Sequence, residues 1–335
     1  MATGMNFDLV SYSGALYTKS ITTTPFLNLI GAPETTNAVE FPVNQEYALG
    51  TPSQPKISES DSLTAPEAAN VTRSQATNVT QIFQESIAIS YARESNMGQL
   101  SGVNVAGQVE NPTSELQFQT AATMQKIRND IEYTCINGKY HKSTGNTDAN
   151  QTRGILEAIV TNAVKETAAV SSSTVRSVLK SFFKKLYDAN TDIDGYLLLI
   201  NSDIKAAISE AYEGSGYFMP GVTEAGIDIQ KLMTDFGTIR IALSRTMPQN
   251  TALCFNPAAV HLVEQPTPGK GNFFLEQLAK TGAGEKYQLF GQIGLDHGAE
   301  WYHGKFTGIS TTFEKPAYSR SVYVANAADI GKATA

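Results

Sequence analysis

Apolar positions recur with a helical period over one long stretch, residues 114–138. Steps of three or four residues place six side chains on one helical face: Leu116, Thr120, Met124, Ile127, Ile131 and Cys135. Asn111-Pro112 favours a non-helical start, because proline pushes the preceding residue out of the helical region. Asn137-Gly138 is a stop signal. The pattern predicts a helix of about 23 residues, roughly 35 Å long, that needs a sheet to lie on.

Alternating positions before this helix predict two strands and a long loop. Val39, Phe41 and Val43 alternate with polar residues, and Pro42 marks an edge strand. The stretch 81–90 alternates as well, and we expect it to be the returning strand of a two-stranded excursion. The proline-rich sequence between them predicts an extended loop, because loops this long inside compact domains are functional or disordered.

The first 35 residues carry little helical or strand period. Their apolar patch is Phe26–Ile30, preceded by Thr24-Pro25. A terminal arm with one apolar anchor is stabilised more readily on another surface than on itself, whereas simple fraying is the ordinary behaviour of a terminus.

After the long helix, a polar stretch leads into an α/β module over residues 151–268. Tyr196–Ile200 is apolar on both faces, which predicts a central strand covered on both sides. Asn201-Ser202 then caps a helix. Ile239–Leu243 and Ala252–Phe255 flank a turn, and we expect them to form a hairpin.

Residues 174–188 predict an amphipathic helix with Val175, Leu179, Phe182 and Leu186 on its buried face. The exposed face carries a basic stripe: Arg176, Lys180 and Lys184. This stripe would suit DNA or an acidic neighbour, although a solvated helix face is the commoner explanation of such a pattern.

The last alternating stretch starts at Tyr287, and its strand character continues from Trp301 to Phe313. We expect this end of the chain to pair with the early strands and to close the sheet beneath the long helix.

Composition favours a scaffold over a compact enzyme. The chain has 335 residues, only 17% of them charged, and a net charge of −7. Low charge suits a surface covered by neighbours, and the net negative charge excludes a general nucleic-acid binder. Cys135 and Cys254 lie in apolar patterns typical of buried, reduced thiols. The sequence from Met1 shows no signal peptide or membrane span, so we expect no membrane partner.

Candidate chemistry is weak. Asp296, His297, Glu300 and His303 imitate a metal site, but on a strand the two histidines would share one face and Glu300 would point away. A polar cluster at a strand end is therefore the better interpretation. Residues 268–271 lack the full glycine-lysine-hydroxyl spacing of a phosphate loop. We expect no enzyme activity, no catalytic residue, no metal and no cofactor. A metal-dependent hydrolase that uses the Asp296–His303 cluster is the remaining enzymatic alternative.

Several local strings, in their order along the chain, resemble the major capsid proteins of tailed bacteriophages, which have the Hong-Kong-97-type fold. The likeness runs from Thr24 to Ala325. The strings are Thr24–Gly31, Gln81–Ser90, Gln125–Glu132, Thr234–Pro248, Leu278–Lys286 with Gly291, and His303-Gly304.

The resemblance implies an α+β capsid fold. A long spine helix, residues 114–138, would lie on an antiparallel sheet in a peripheral domain, residues 81–150 and 269–325. The mixed α/β axial domain would be residues 151–268. Residues 36–80 would be the extended loop and residues 1–35 the N-terminal arm.

The function implied by the resemblance is that of a coat protein. Copies would assemble into hexamers and pentamers of an icosahedral shell, in the bacterial cytoplasm, around double-stranded DNA bound without sequence specificity. A portal, and scaffold or decoration proteins, would be the other partners. An encapsulin-like compartment is the alternative with the same fold. The loop and arm supply the candidate contacts between subunits: Phe26, Leu27, Glu46, Tyr47, Lys56, Glu59 and Arg73.

The resemblance also changes the interpretation of the polar face of the long helix. That face carries Gln125, Arg128, Asn129 and Glu132. We expect it to face the outside or the lumen of the shell and not to form a site of chemistry.

Overall fold

The computed structural model describes most of the chain between residues 21 and 311, with short gaps. The described ranges are 21–49, 52–67, 70–92, 115–166, 169–170, 172–189, 191–212, 218–224, 227–280, 282–308 and 310–311. The predicted helix cap at residues 111–114 and the tail after residue 311 lie outside them. Within these ranges, no helix is long and apolar enough to cross a membrane.

Helices and strands are mixed along the chain. The α-helices are α1 (Pro25–Leu29), α2 (Glu59–Ser62), α3 (Glu115–Asn137), α4 (Ile155–Ala158), α5 (Ser172–Asp188) and α6 (Ser202–Tyr212). The strands are β1 (Gly31–Thr35), β2 (Glu40–Tyr47), β3 (Arg73–Val79), β4 (Gln81–Ser90), β5 (Ala163–Lys165), β6 (Ala169–Val170), β7 (Leu197–Ile200), β8 (Phe218–Glu224), β9 (Ile227–Thr234), β10 (Gly237–Leu243), β11 (Thr251–Phe255), β12 (His261–Glu264), β13 (Phe273–Gln277), β14 (Gly284–Asp296), β15 (Gly304–Thr307) and β16 (Ser310–Thr311). Pro257–Ala259 and Glu300–Tyr302 form 3-10 turns.

The long helix α3 has the 23 residues that the periodicity predicts. Ile127, Ile131 and Cys135 are buried as expected, because they face the sheet beneath. Met124, predicted on the same face, is half exposed. Glu132, predicted on the polar face, has no exposed surface, so this part of the prediction is wrong.

α3 lies on a five-stranded sheet built around β14. Over most of its length β14 pairs with β4, from Gly284↔Ser90 to Ile293↔Gln81. Its other edge pairs antiparallel with β13 and then with β12. β1 adds to β12 in parallel. The predicted pairing of the late strand with an early one, beneath the long helix, is confirmed for β14 and β4.

β2 pairs with β3, not with β4, so the predicted return strand of the excursion is wrong. The register runs from Glu40↔Val79 to Tyr47↔Arg73, with an irregularity after Pro42. β3 is almost entirely polar and gives little strand signal, whereas β4 alternates strongly because it belongs to the main sheet.

A second sheet has seven strands in the order β5-β15-β11-β7-β10-β9-β8. β7 is the predicted central strand and is buried throughout. Leu198 and Ile200 enter one core, against α5 and α6, whereas Leu197 and Leu199 enter the core shared with α3 and the smaller sheet. One face of β7 is therefore covered by helices, and the other face packs the larger sheet against α3 and the smaller sheet.

The predicted hairpin of β10 and β11 is wrong. β7 lies between these strands, parallel to β10 and antiparallel to β11. β10 and β11 therefore lie on either side of β7, and each pairs with one of its edges. β10 instead forms a hairpin with β9 around Thr234–Gly237.

Two segments join a different sheet from the one that the predicted boundaries imply. β12, placed in the α/β module, pairs with β14 in the smaller sheet. β15, placed with the long helix, pairs with β11 in the larger sheet. The stretch 297–303 between β14 and β15 is a turn rather than a strand, and it carries the chain from one sheet to the other.

Candidate functional site

The most exposed part of the described chain is the end of the β2–β3 hairpin and its connecting loop. Every described residue from 47 to 75 is exposed. The loop nevertheless contains large apolar side chains, with exposed fractions of 73% for Leu49, 70% for Ile57 and 87% for Leu63. Exposed apolar side chains grouped on one projection are typical of a surface that contacts another protein.

The loop contains one helical turn, α2, with a complete capping box. The Ser58 hydroxyl accepts a hydrogen bond from the Asp61 amide at 3.1 Å, and the Asp61 carboxylate accepts one from the Ser58 amide at 3.3 Å. Hydrogen bonds from Ser58 also hold the pKa of Asp61 below its usual value. This local pairing gives the loop a fixed turn without any buried core.

The β2–β3 hairpin is bound to the rest of the subunit at three places along its strands. Asn78, fully buried, donates to the Leu295 carbonyl at 2.7 Å and accepts from the Arg153 amide at 2.9 Å. Lys142 forms an ion pair with Glu40 at 2.7 Å. The indole of Trp301 donates to Glu46 at 3.0 Å. Asn78 and Glu40 thus anchor the hairpin at its base and Glu46 anchors it near the loop, whereas the described residues of the loop make only local hydrogen bonds, around α2.

The predicted contact residues of the loop fall into two groups. Tyr47, Lys56, Glu59 and Arg73 are exposed on the projection, where another subunit has access to them. Glu46 is partly buried, and its carboxylate is already bound to Trp301 within the same chain.

The segment 21–30 lies along α3 of its own subunit. Phe26 has no exposed surface and packs against Phe255, with ring centroids 5.3 Å apart. The prediction that Phe26 contacts another subunit is therefore wrong, because its ring fills the core of its own chain. Leu27 is partly buried against the same core.

The polar face of α3 binds this segment. Arg128 is exposed and Gln125 and Asn129 are partly buried, so only Glu132 lies away from the surface, and the expected facing of the others to the outside or the lumen stays a prediction. Asn129 donates to the Ile21 carbonyl at 2.7 Å, and Gln125 donates to the Thr22 carbonyl at 3.3 Å. Arg128 donates to the Thr24 hydroxyl at 2.7 Å and also binds Asn28. The polar side chains satisfy backbone groups that have no strand partner.

Glu132 extends the same contact into the core. Its carboxylate accepts hydrogen bonds from the Leu27 amide at 3.3 Å and from the Ser244 hydroxyl at 3.3 Å. Burial raises the pKa of Glu132 to about 7, while these hydrogen bonds act in the opposite direction. Glu132 follows Ile131 directly and so lies at the border of the apolar face of α3, where the segment 21–30 covers it.

The basic stripe of α5 is exposed, and each side chain has a partner in its own chain. Arg176 donates to the Ala211 carbonyl at 3.0 Å and lies over the ring of Tyr212. Lys180 pairs with Asp235, and Lys184 pairs with Asp188. These ion pairs reduce the positive potential of the stripe, but its side chains stay exposed to solvent.

The Asp296–His303 cluster links two loops. His303, fully buried, donates from Nε2 to the His297 carbonyl at 2.7 Å and accepts from the Asn256 amide at 3.3 Å. Burial lowers the pKa of His297 and of His303 to about 4. Burial would raise the pKa of Glu300, but hydrogen bonds from Thr161 and Val160 hold it below its usual value.

These groups do not converge on a common point. Glu300 turns toward the Val160 amide, at 2.8 Å, while His297 donates to the adjacent Gly298 carbonyl at 2.9 Å. Among the described residues, no group of three or more potential ligands is arranged to hold a metal ion. Cys135 and Cys254 are buried and unpaired by disulfides, as the sequence predicts.

A long helix on a small sheet, a second sheet packed through the same core and a projecting hairpin are the elements of the Hong-Kong-97-type fold. The model of one family, the SU10 major capsid protein, matches residues 1–310. The chain belongs to this family, and it is the major capsid protein of a phage. No curated protein matches the sequence.

Solved structures share this fold at low sequence identity. The holo-SrpI encapsulin complex from Synechococcus elongatus PCC 7942 has a TM-score of 0.58 at 12% identity, over 89% of this chain and 93% of its own. The capsid of a native GTA particle has a TM-score of 0.56 at 12% identity, over 92% and 98%. The capsid of Cyanophage P-SCSP1u has a TM-score of 0.54 at 10% identity, over 89% and 91%.

Proposed function

We propose that this capsid protein forms hexamers and pentamers in which the β2–β3 projection lies over a neighbouring subunit. The observation that carries this proposal is the exposure of every described residue from 47 to 75, together with the apolar side chains among them. A monomer in water gains nothing from exposing them, whereas obligate interfaces bury thousands of Å². Tyr47, Lys56, Glu59 and Arg73 are the polar and aromatic contacts proposed on the same surface.

The two sheets suggest two roles in each capsomer. The five-stranded sheet with α3 is proposed as the peripheral domain, and the seven-stranded sheet with α5 and α6 as the axial domain at the capsomer centre. The residues before Ile21 are proposed to continue as an arm toward neighbouring subunits. The packing of both sheets on one core supports a subunit that moves as one block.

The shell is proposed to enclose double-stranded DNA without sequence specificity. Membership of a phage capsid family supports this, and the net charge of −7 favours weak adhesion of DNA to the inner wall. A portal, and scaffold or decoration proteins, are the further partners proposed, with assembly in the bacterial cytoplasm. The Arg176, Lys180 and Lys184 stripe is a candidate lumen contact or neighbour contact.

An encapsulin complex has the same fold, so a compartment for protein cargo is the second candidate function. DNA content separates the two, since a phage head contains a genome. We also propose that the shell has no catalytic role. The divergent orientation of Glu300 and His297 supports a structural use of the Asp296–His303 cluster.

Replacing Leu49, Ile57 and Leu63 together by serine tests the proposed contact of the loop. We expect folded subunits that no longer form closed shells, because the exposed side chains contribute apolar contact only when a neighbour covers them. Sedimentation and electron microscopy measure assembly, and circular dichroism measures the fold.

The matched control replaces two exposed polar residues of the same loop, Gln54 and Thr64, by serine, and it should assemble normally. Wild-type shell yield from the triple variant would overturn the proposed role of the loop. Loss of secondary structure in the triple variant would contradict the purely local contacts of the described loop residues.

A further inference from the structure

A single buried carboxyl group connects three segments of the subunit. Glu132 projects from α3 with no exposed surface. Its Oε2 accepts from the Leu27 amide at 3.3 Å, and the Phe26 amide contributes as well. Its Oε1 accepts from the Ser244 hydroxyl at 3.3 Å and lies 3.5 Å from the Thr246 hydroxyl. The segment 21–30 is thereby linked through α3 to the turn that follows β10.

The two oxygens of Glu132 have different kinds of partner. The amides of Phe26 and Leu27 can only donate, so Oε2 must act as an acceptor in every protonation state. The hydroxyls of Ser244 and Thr246 can rotate and accept instead. A proton on Oε1 therefore has an acceptor beside it without any movement of the backbone. The site accommodates the neutral acid and the carboxylate alike.

Burial penalises the ionised form of this side chain. Desolvation raises the pKa of Glu132 from its usual 4.5 to about 7, against the effect of the amide and hydroxyl donors. Near neutral pH the group therefore changes its charge within the folded subunit, whereas a hydrated glutamate is already ionised.

Charged and titratable groups on the surrounding elements are few. The segment from Thr24 to Ile30 carries none. On α3, Arg128 is exposed and binds Thr24 and Asn28, and Cys135 is buried. Beside the two hydroxyls, Arg245 is exposed. Hydrogen bonds are therefore the main interactions that stabilise the ionised carboxylate of Glu132 in the folded subunit. Water can hydrate this carboxylate fully only when the covering segment moves away.

We propose that Glu132 is a proton-controlled clamp on residues 21–30: the neutral acid keeps this segment seated on α3, and the carboxylate favours its release. The closed state binds the proton more tightly than the open, hydrated state. Linkage then requires that protonation favour closure and that a rise in pH favour opening.

The size of the effect follows from the difference between the closed and hydrated groups. A change in pKa from 4.5 to about 7 corresponds to an increase of up to roughly 300-fold in the opening equilibrium between acid and alkaline pH. Opening also withdraws Phe26 from its contact with Phe255. The clamp therefore couples the charge of one side chain to the integrity of the core around Phe26.

Hydrogen–deuterium exchange of the assembled particle tests this proposal. The measurement is the protection of amides in peptides covering residues 21–30 from pH 5 to pH 9, corrected for the intrinsic pH dependence of exchange. In the wild type we expect protection to fall by one to two orders of magnitude across this range. In Glu132→Gln we expect constant protection, because glutamine offers the same acceptor to the amides and cannot ionise.

The matched control is Asp130→Asn, which removes an exposed carboxylate from the same helix, and it should behave as the wild type. Equal pH dependence in the wild type and in Glu132→Gln would overturn the proposal, as would protection that rises with pH. Glu132→Leu serves as a second non-ionising variant, and pH-dependent protection in that variant would also contradict the clamp. Peptides from β7 report whether each variant is folded.

Discussion

At the scale of single residues, burial shifts the pKa values of several ionisable side chains in this capsid subunit. Glu132 and Asp296 have pKa values raised by burial, to about 7 and about 6. His297 and His303 have pKa values lowered by burial, to about 4. The carboxyls favour the folded state at low pH and the histidines favour it at high pH. As the pH falls, protonation of the two carboxyl groups favours the folded state, whereas protonation of the two histidines opposes it.

The acid response of His297 gives a prediction at this scale. Its pKa is lowered from 6.5 to about 4, so the unfolded chain binds more protons in that interval and stability is lost as pH falls. His297→Asn keeps a donor for the Gly298 carbonyl and removes the titration. We expect the slope of unfolding free energy against pH, between pH 4.5 and 6, to decrease by about 1.4 kcal/mol per pH unit.

Denaturant unfolding of purified subunits measures that slope. The control is His141→Asn, since His141 is exposed and paired with Asp148 at the surface. An unchanged slope in His297→Asn, or an equal change in the control, would count against the assignment.

Individual residues also show where local patterns stop being informative. The burial of Cys135 and Ile131 follows from helical period alone. The helical period cannot predict that Phe26 packs in the core of its own subunit, because this packing depends on where residues 21–30 lie relative to α3. It also cannot predict the burial of Glu132, because the covering segment lies more than a hundred residues away in sequence.

At the scale of elements, local signals set the helices and distant pairings set the sheets. α3, α5 and β7 are where the periodicity predicts them. The partner of β2 is β3, but β3 lacks apolar alternation, so the more regular β4 was predicted in its place. The insertion of β7 between β10 and β11 is equally nonlocal. Strand pairing depends on the whole sheet, whereas a helix satisfies its own backbone.

The anchoring of the hairpin gives a prediction at the scale of elements. Trp301, the single tryptophan, donates to Glu46 near the loop end of the β2–β3 hairpin. We expect Glu46→Ala to shift tryptophan emission to the red, because the indole loses its acceptor and gains water as the hairpin loosens. Glu46→Gln keeps an acceptor and should retain the wild-type spectrum.

Fluorescence of the purified subunit is the measurement, and Glu59→Ala at the exposed end of the loop is the control. Identical spectra for Glu46→Ala and the wild type would contradict anchoring of the hairpin through this hydrogen bond.

At the scale of the whole molecule, the subunit is built as a part of something larger. Its core joins both sheets, yet the described residues of the projection, between 47 and 75, are all exposed within the single chain. The order of weak local strings predicted this family correctly, and the match over residues 1–310 confirms it. Individual contacts between subunits stay predictions, because the exposed apolar side chains of one chain indicate a covered surface without identifying the residues of the neighbour that cover it.

Electron microscopy of particles formed by the full chain tests the central claim most directly. We predict closed icosahedral shells containing both hexamers and pentamers, with residues 47–75 lying over an adjacent subunit. Particles from phage should contain nuclease-protected double-stranded DNA. Monomers at high concentration, open sheets of a single capsomer type, or shells filled with protein and free of DNA would contradict the account.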